Sequence, residues 1–430
     1  GQGQSRGGQC PAEEDAGFLT GVQEPAGRRM YANRMKIVAD ENIPCVREAF
    51  STLGEVITVQ GRSLSAAEVR DADVLLVRSV TRVGAGLLAG SRVRFVASAT
   101  IGFDHIDLDY LAGHDIGFAR APGSNATSAA EYVLSCILVL LGDRLRDPGG
   151  ISVGIIGCGN VGSRVRHRLE LLGMSCLVND PPLQAQGGHD DFVSLQEVLS
   201  ADIVTVHVPL VSGGTFPTRH LINDAFIDRL AHGAVLINTS RGAVCDCGAL
   251  ERRLQDRHDL RVALDVWEGE PAICTGLLEQ VALGTPHIAG YSLDGKVRGT
   301  EMIYQAVCRH FGRTETWAAG SCLPAPVTMD VLAANREPQE VVIEAVLGCY
   351  DVRRDDAALR RILDMPGAER ASCFDELRKS YPVRREFDQV LINLEGEGGP
   401  AGELLAGLGF QVRASTARPI AAHGAGSIPS

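Results

Sequence analysis

The stretch Ile151-Ser152-Val153-Gly154-Ile155-Ile156-Gly157-Cys158-Gly159-Asn160-Val161-Gly162 decides the fold of this chain. Its first half is a near-continuous apolar run, the pattern of a parallel strand covered on both faces. Its second half is a glycine turn that opens a helix, expected over Val161 to Leu172. Gly157 permits the tight turn, Gly159 lets a pyrophosphate approach the backbone, and Gly162 lets helix and strand pack closely. The amides at Asn160 and Val161, with the positive end of the helix dipole, would face the phosphates. A glycine turn alone is a common structural element, and its place between an apolar strand and a helix is what gives it weight.

Working outward, strand signals recur at Ser175 to Asn179, Ala201 to Val208, Ala234 to Asn238 and Arg261 to Val266, with helical segments such as Asn223 to Leu230 between them. That alternation is the doubly wound pattern. Upstream, Lys36 to Asp40, Asp73 to Arg78 and Val93 to Ala99 read as strands of a second parallel unit, and the apolar run Ala126 to Leu141 reads as a connecting helix. Lys296 to Phe311 reads as a helix that returns to the first unit, making it discontinuous. The fold class expected is α/β: two Rossmann-like domains with doubly wound parallel sheets, plus a small C-terminal α/β module. The boundaries expected are a substrate-binding domain over 35–125 and 290–315, a dinucleotide domain over 126–289 and a module over 339–412. The segment 1–34, rich in Gly, Gln, Glu and Arg, and the segment 413–430, with its Gly and Pro, are expected to be disordered.

The chain has 430 residues, too many for one hydrophobic core. A net charge of -12 offers no basic footprint for nucleic acid. Twelve cysteines lie mostly among apolar neighbours, the pattern of buried free thiols; the close pair Cys245 and Cys247 lacks further ligands, so no metal site is expected. The first 34 residues have no signal-peptide core, and Tyr132 to Leu141, the longest apolar run, is short for a membrane span. A cytoplasmic protein without membrane contact is the expectation.

Several polar residues stand where strands end, the places at which such sheets bind ligands. Asp180 follows the second strand of the dinucleotide unit, where a carboxylate can accept from ribose hydroxyls and repel a 2'-phosphate, favouring NAD over NADP; it also suits an ordinary turn before Pro181. His207 and Pro209 would shape a loop beside the cofactor, and Asp265 would orient the cofactor near its nicotinamide. Arg241, just beyond an apolar strand, can grip a carboxylate with two parallel hydrogen bonds. His287, on another strand-end loop, can exchange a proton near neutral pH, and a carboxylate beside it would orient the ring. Glu268 and Glu270 both sit on a constrained loop, and Pro271 beside Glu270 gives it a slight preference.

These segments resemble the D-isomer-specific 2-hydroxyacid dehydrogenases. The family-level match rests on the glycine turn, on Asn238-Thr239-Ser240-Arg241-Gly242, on Asp265-Val266-Trp267-Glu268-Gly269-Glu270-Pro271 and on Pro286-His287-Ile288-Ala289-Gly290. A narrower match, to a branch acting on a phosphorylated 2-hydroxy acid, rests on Ala39 to Pro44, Val77 to Thr81, Ala99 to His105, Pro122 to Ala126, Tyr350 to Asp356 and Arg384 to Phe387. The resemblance implies that Arg241, Glu270 and His287 are catalytic, that Gly290 lies in the NAD site, and that Ser79, Thr100 and Tyr291 line the substrate, with Arg78 near its phosphate. It also implies that the trailing module makes a homodimer, which suits apolar runs such as Val341 to Leu347 and Val390 to Leu394. Another D-2-hydroxy acid, phosphoglycerate included, would use the same reacting trio. A protein that senses NAD without turning over a substrate would keep only the glycine turn.

Overall fold

The computed structural model describes residues 34–187, 191–396 and 399–415. The expected disordered ends therefore lie almost wholly outside the described residues. The chain divides into two compact units: one runs to Ser124 and resumes over Lys296–Leu323, and the other comprises Asn125–Gly295 and the chain from Pro324 onward.

The first unit is built on a five-stranded parallel sheet of β1 (Met35–Asp40), β2 (Gly54–Val59), β3 (Val74–Val77), β4 (Phe95–Ser98) and β5 (Gly117–Arg120), in the order β2-β1-β3-β4-β5. β3 and β4 are buried at every residue because both faces of the sheet are covered. One face packs Ile37, Phe50 and Phe95 against Ile303, Tyr304 and Val307 of the helix Leu293–Phe311, and the other packs Val69, Leu87, Leu88 and Leu111. The parallel order follows from the intervening segments, each too long for a hairpin and each able to cover a face.

The second unit holds a six-stranded parallel sheet of β6 (Ser152–Ile156), β7 (Ser175–Asn179), β8 (Ile203–Val206), β9 (Val235–Asn238), β10 (Arg261–Leu264) and β11 (Leu283–Gly284), ordered β11-β10-β9-β8-β6-β7. The order reverses between β6 and β8, the crevice where a doubly wound sheet takes its ligand. The helix Ala126–Leu141 continues as a tighter turn to Arg146, long and apolar enough by composition to cross a bilayer, and so extends beyond the run Tyr132 to Leu141 at both ends. Its most apolar part is 78% buried inside the protein, the place of a core helix.

The trailing segment forms a three-stranded parallel sheet of β12 (Val327–Leu332), β13 (Val390–Glu395) and β14 (Gln411–Ser415), with β13 in the middle. It differs from the expected module at both ends. β12 lies upstream of Gln339, and as an edge strand it buries only Val331, so it carries no apolar alternation that a sequence would show. β14 runs past Val412 because Arg413, Ala414 and Ser415 pair with Asn393, Leu394 and Glu395. Nor does the module stand apart: its Val341, Tyr350, Phe387 and Leu405 share one apolar core with Tyr132, Val165 and Ile288 of the dinucleotide unit. The cysteines at 136, 245, 247 and 308 are buried free thiols.

Candidate active site

Each strand of the six-stranded sheet delivers a polar group at its carboxyl end. At β6, Gly157 has φ of 87°, and a side chain there would press on the His207 carbonyl. A side chain at Gly162 would overlap the Gly157 carbonyl, whereas one at Gly159 would meet no protein atom within 4 Å. Two of the three glycines thus serve packing, and the middle one faces open space. Gly159 is also the N-cap of the helix Asn160–Leu171 and offers no side-chain acceptor to its first amides. Backbone donors in that setting suit a pyrophosphate, so these residues fit a dinucleotide. Asp180, beyond β7, accepts from Cys158 N at 2.8 Å with one oxygen and from Leu183 N at 3.0 Å with the other, tying the glycine turn to the next loop.

Beyond β8, His207 lies between the hydroxyls of Thr205 at 2.9 Å and Thr239 at 3.1 Å, and burial pushes its pKa down to about 3. A neutral ring so held shapes the loop, and the Pro209 carbonyl accepts from Thr218 Oγ1 to fix it further.

The remaining groups come from three adjacent strands. After β9, the buried Asn238 side chain accepts from Ser240 N at 3.0 Å and Ser240 Oγ at 2.6 Å, folding the loop that carries Arg241. Arg241 Nη1 donates to the Ser240 carbonyl at 2.8 Å. A side chain at Gly242 would overlap the Trp267 carbonyl, so this glycine lets the Arg241 loop lie directly against the loop after β10. That second loop bears Glu270, whose Oε1 accepts from Trp267 N at 2.7 Å and whose Oε2 lies 2.7 Å from His287 Nδ1. Burial raises the Glu270 carboxyl, but His287, the Trp267 amide and Arg378 together outweigh it and hold the group below its ordinary range. Glu268 instead pairs with His220 at 2.7 Å.

His287 follows β11 in a left-handed conformation, φ 59°, which costs a non-glycine residue on the order of 1–3 kcal/mol. Asp265 offsets that cost. Its Oδ1 accepts from Thr285 Oγ1 and Ile288 N, both at 2.7 Å, and its Oδ2 accepts from Ala289 N at 3.0 Å. Both oxygens of this buried carboxylate are thus engaged by the His287 loop, a role that its strand-end position alone does not reveal. Trp267 Nε1 donates to the Thr285 carbonyl at 2.9 Å, and Tyr132 Oη lies 2.7 Å from Thr285 Oγ1. Gly290 has no room for a side chain because Asn125 fills the space, and Tyr291 packs edge-on to Tyr381 at 5.8 Å.

In the first unit, the ends of the adjacent strands β1, β3 and β4 gather Asp40, Arg78 and Thr100. The buried Asp40 accepts from Arg78 Nε at 3.1 Å, fixing the guanidinium at the strand end. Ser79 beside it is exposed, and Thr100 Oγ1 lies 2.7 Å from Ser98 Oγ and donates to the Gly102 carbonyl at 3.2 Å.

Residues 142–289 match the family described as the D-isomer specific 2-hydroxyacid dehydrogenase NAD binding domain, and residues 322–409 match one described as a domain of unknown function. Among solved structures, a D-lactate dehydrogenase of Aquifex aeolicus complexed with NAD and lactic acid superposes with a TM-score of 0.54 at 27% identity, over 64% of this chain and 96% of that one. An NAD+-bound 3-phosphoglycerate dehydrogenase of Entamoeba histolytica gives 0.56 at 25% identity, over 65% and 95%. Fold and site together define an NAD-dependent 2-hydroxyacid dehydrogenase. Curated relatives narrow the class. An erythronate-4-phosphate dehydrogenase of Chromohalobacter salexigens is 48% identical over 89% of this chain and 100% of its own length, and that of Hahella chejuensis is 47% identical over 88% and 99%. The chain belongs to the erythronate-4-phosphate dehydrogenase family.

Proposed function

We propose that the protein oxidises 4-phospho-D-erythronate to (R)-3-hydroxy-2-oxo-4-phosphooxybutanoate, with NAD as oxidant, in the biosynthesis of pyridoxal 5'-phosphate. The observation that carries the reaction is the 2.7 Å contact between His287 Nδ1 and Glu270 Oε2. An ionised carboxylate only accepts, so Nδ1 carries the proton of a neutral ring and Nε2 is left with its lone pair as the base. His287 Nε2 takes the proton of the C2 hydroxyl, and Glu270, kept anionic by its partners, steadies the imidazolium that forms. Arg241 pairs with the substrate carboxylate and favours the developing negative charge on the C2 oxygen. When bound, NAD supplies the acceptor for the hydride that leaves C2. Gly157, Gly159, Asn160, Val161, Gly162 and Asp180 hold it, while His207, Pro209, Asp265 and Gly290 shape the surrounding loops.

Arg78, Ser79 and Thr100 receive the phosphate end of the substrate, with Tyr291 beside the reacting carbons. Comparing kcat/KM for phosphorylated and unphosphorylated erythronate checks this assignment. A site built for the dianion loses at least about a hundredfold without it, the worth of roughly 2.7 kcal/mol of binding realised in the transition state. Equal turnover of the two, or faster turnover of phosphoglycerate, rejects the substrate.

The protein works as a cytoplasmic homodimer in this reading. Val327 and Leu332 on the edge strand β12 are each 50% exposed, and an edge strand with uncovered apolar side chains suits pairing with a second copy. Sedimentation of the Val327→Lys, Leu332→Lys double variant is expected to show a monomer where the unaltered protein is a dimer. A monomeric unaltered protein, or an unaffected variant, removes this assignment.

A further inference from the structure

Residues 322–409 match a domain of unknown function, yet they grip the loop that carries His287. Arg384 is 6% exposed, and its Nη1 donates to the Ala289 carbonyl at 3.1 Å while Nη2 donates to the Ser128 carbonyl at 2.7 Å. The guanidinium lies 3.6 Å from the centroid of the Tyr350 ring and 3.6 Å from the buried Glu131. Its own backbone carbonyl accepts from Leu293 N at 2.9 Å. The neighbouring residues grip the same strip of chain. Ser292 Oγ donates to Glu386 Oε1 at 2.8 Å, Arg385 pairs with Asp294 at 3.1 Å, and Glu386 N donates to Asp294 at 2.8 Å. On the other flank, Gly284 N donates to Asp356 Oδ1 at 2.7 Å.

We propose that Arg384 is a positioning residue for the acid–base histidine, so that the C-terminal module is part of the catalytic apparatus as well as a candidate assembly element. Ala289 is the point of convergence. Its amide is held by Asp265 and its carbonyl by Arg384, so the peptide units on both sides of that residue are fixed two positions from His287. The left-handed backbone at His287 needs such over-determination, because without it the residue relaxes toward a commoner conformation and the ring leaves Glu270. One cation also bridges three parts of the unit: the helix bearing Ser128 and Glu131, the His287 loop and the module. Only a planar fork can donate to the two carbonyls at once while stacking on a ring.

The inference rests on His287 as the acid–base group, and the two can fail separately. Arg384→Lys keeps a cation facing Glu131 and Tyr350 but cannot span both carbonyls. It is expected to melt close to the unaltered protein and to bind NAD with unchanged Kd in calorimetry. Its kcat should fall about tenfold to a hundredfold, the cost of a reacting group displaced by about 1 Å, with little change in KM and a larger kinetic isotope effect from C2-deuterated substrate. A merely structural arginine would lower the melting temperature and leave kcat of the folded protein and the isotope effect alone, and that result overturns the proposal. Should Arg384→Lys not fold, Ser292→Ala loosens the same strip without removing a charge. A several-fold drop in its kcat at unchanged NAD affinity supports the clasp, and an unchanged kcat overturns it. An active His287→Ala protein would instead remove the reading of the site on which the clasp depends.

Discussion

Replacing His287 with alanine is expected to lower kcat by about 10²–10⁴ while leaving NAD affinity nearly intact. The imidazole is paired through Nδ1 with Glu270, whereas the glycine turn and the amides that fit a dinucleotide come from β6 and the helix after it. The proposed base and the proposed cofactor contacts therefore sit on different strands of one sheet, and the loss should fall on the chemical step. Steady-state rates across pH, with calorimetric titration of NAD, measure both. A folded variant that retains its rate across pH would show that another group accepts the hydroxyl proton.

Arg241→Lys is expected to cost about 10²–10³ in kcat/KM despite the conserved charge. The loop that carries Arg241 is set by the buried Asn238 and by a glycine at 242 that lies directly against the Trp267 backbone, so the side chain leaves a well-fixed point. From there a guanidinium can engage a carboxylate with two parallel bonds and still reach the adjacent oxygen. An ammonium carries its three donors on one nitrogen, so it cannot present two parallel, coplanar bonds to a carboxylate, and it is more strongly hydrated. Kinetics with the phosphorylated substrate check this, and an unchanged kcat/KM would reduce Arg241 to a general source of positive charge.

The parts of this protein legible in its sequence are those where one residue type answers one local demand. Gly157 and Gly162 stand where a side chain would strike backbone, and β3, β4, β8 and β9 read as strands because every residue in them is buried. The candidate reacting groups stand out for a related reason: a parallel sheet sends its loops to one edge, and Arg241, Glu270 and His287 follow three neighbouring strands. What escaped depends on partners distant in sequence. Arg384-Arg385-Glu386 has the composition of a solvated surface run, yet all three are buried, because Glu131, Asp294 and Ser292 meet them from a helix and a loop far upstream. Asp265 reads as a cofactor residue from its place at a strand end, and only the fold shows its oxygens turned to the His287 loop. β12 was hidden because an edge strand with one buried side chain leaves no periodic mark.

The most direct test of the central claim follows the hydrogen at C2. With 4-phospho-D-erythronate deuterated at that carbon, a single turnover of the NAD-loaded protein should yield the 2-oxo acid and reduced nicotinamide carrying one deuterium, both read by mass spectrometry. His287→Ala should show the same transfer at a greatly reduced rate. Reduced cofactor without deuterium, or no oxidation of this substrate under conditions where another 2-hydroxy acid is turned over, would contradict the account.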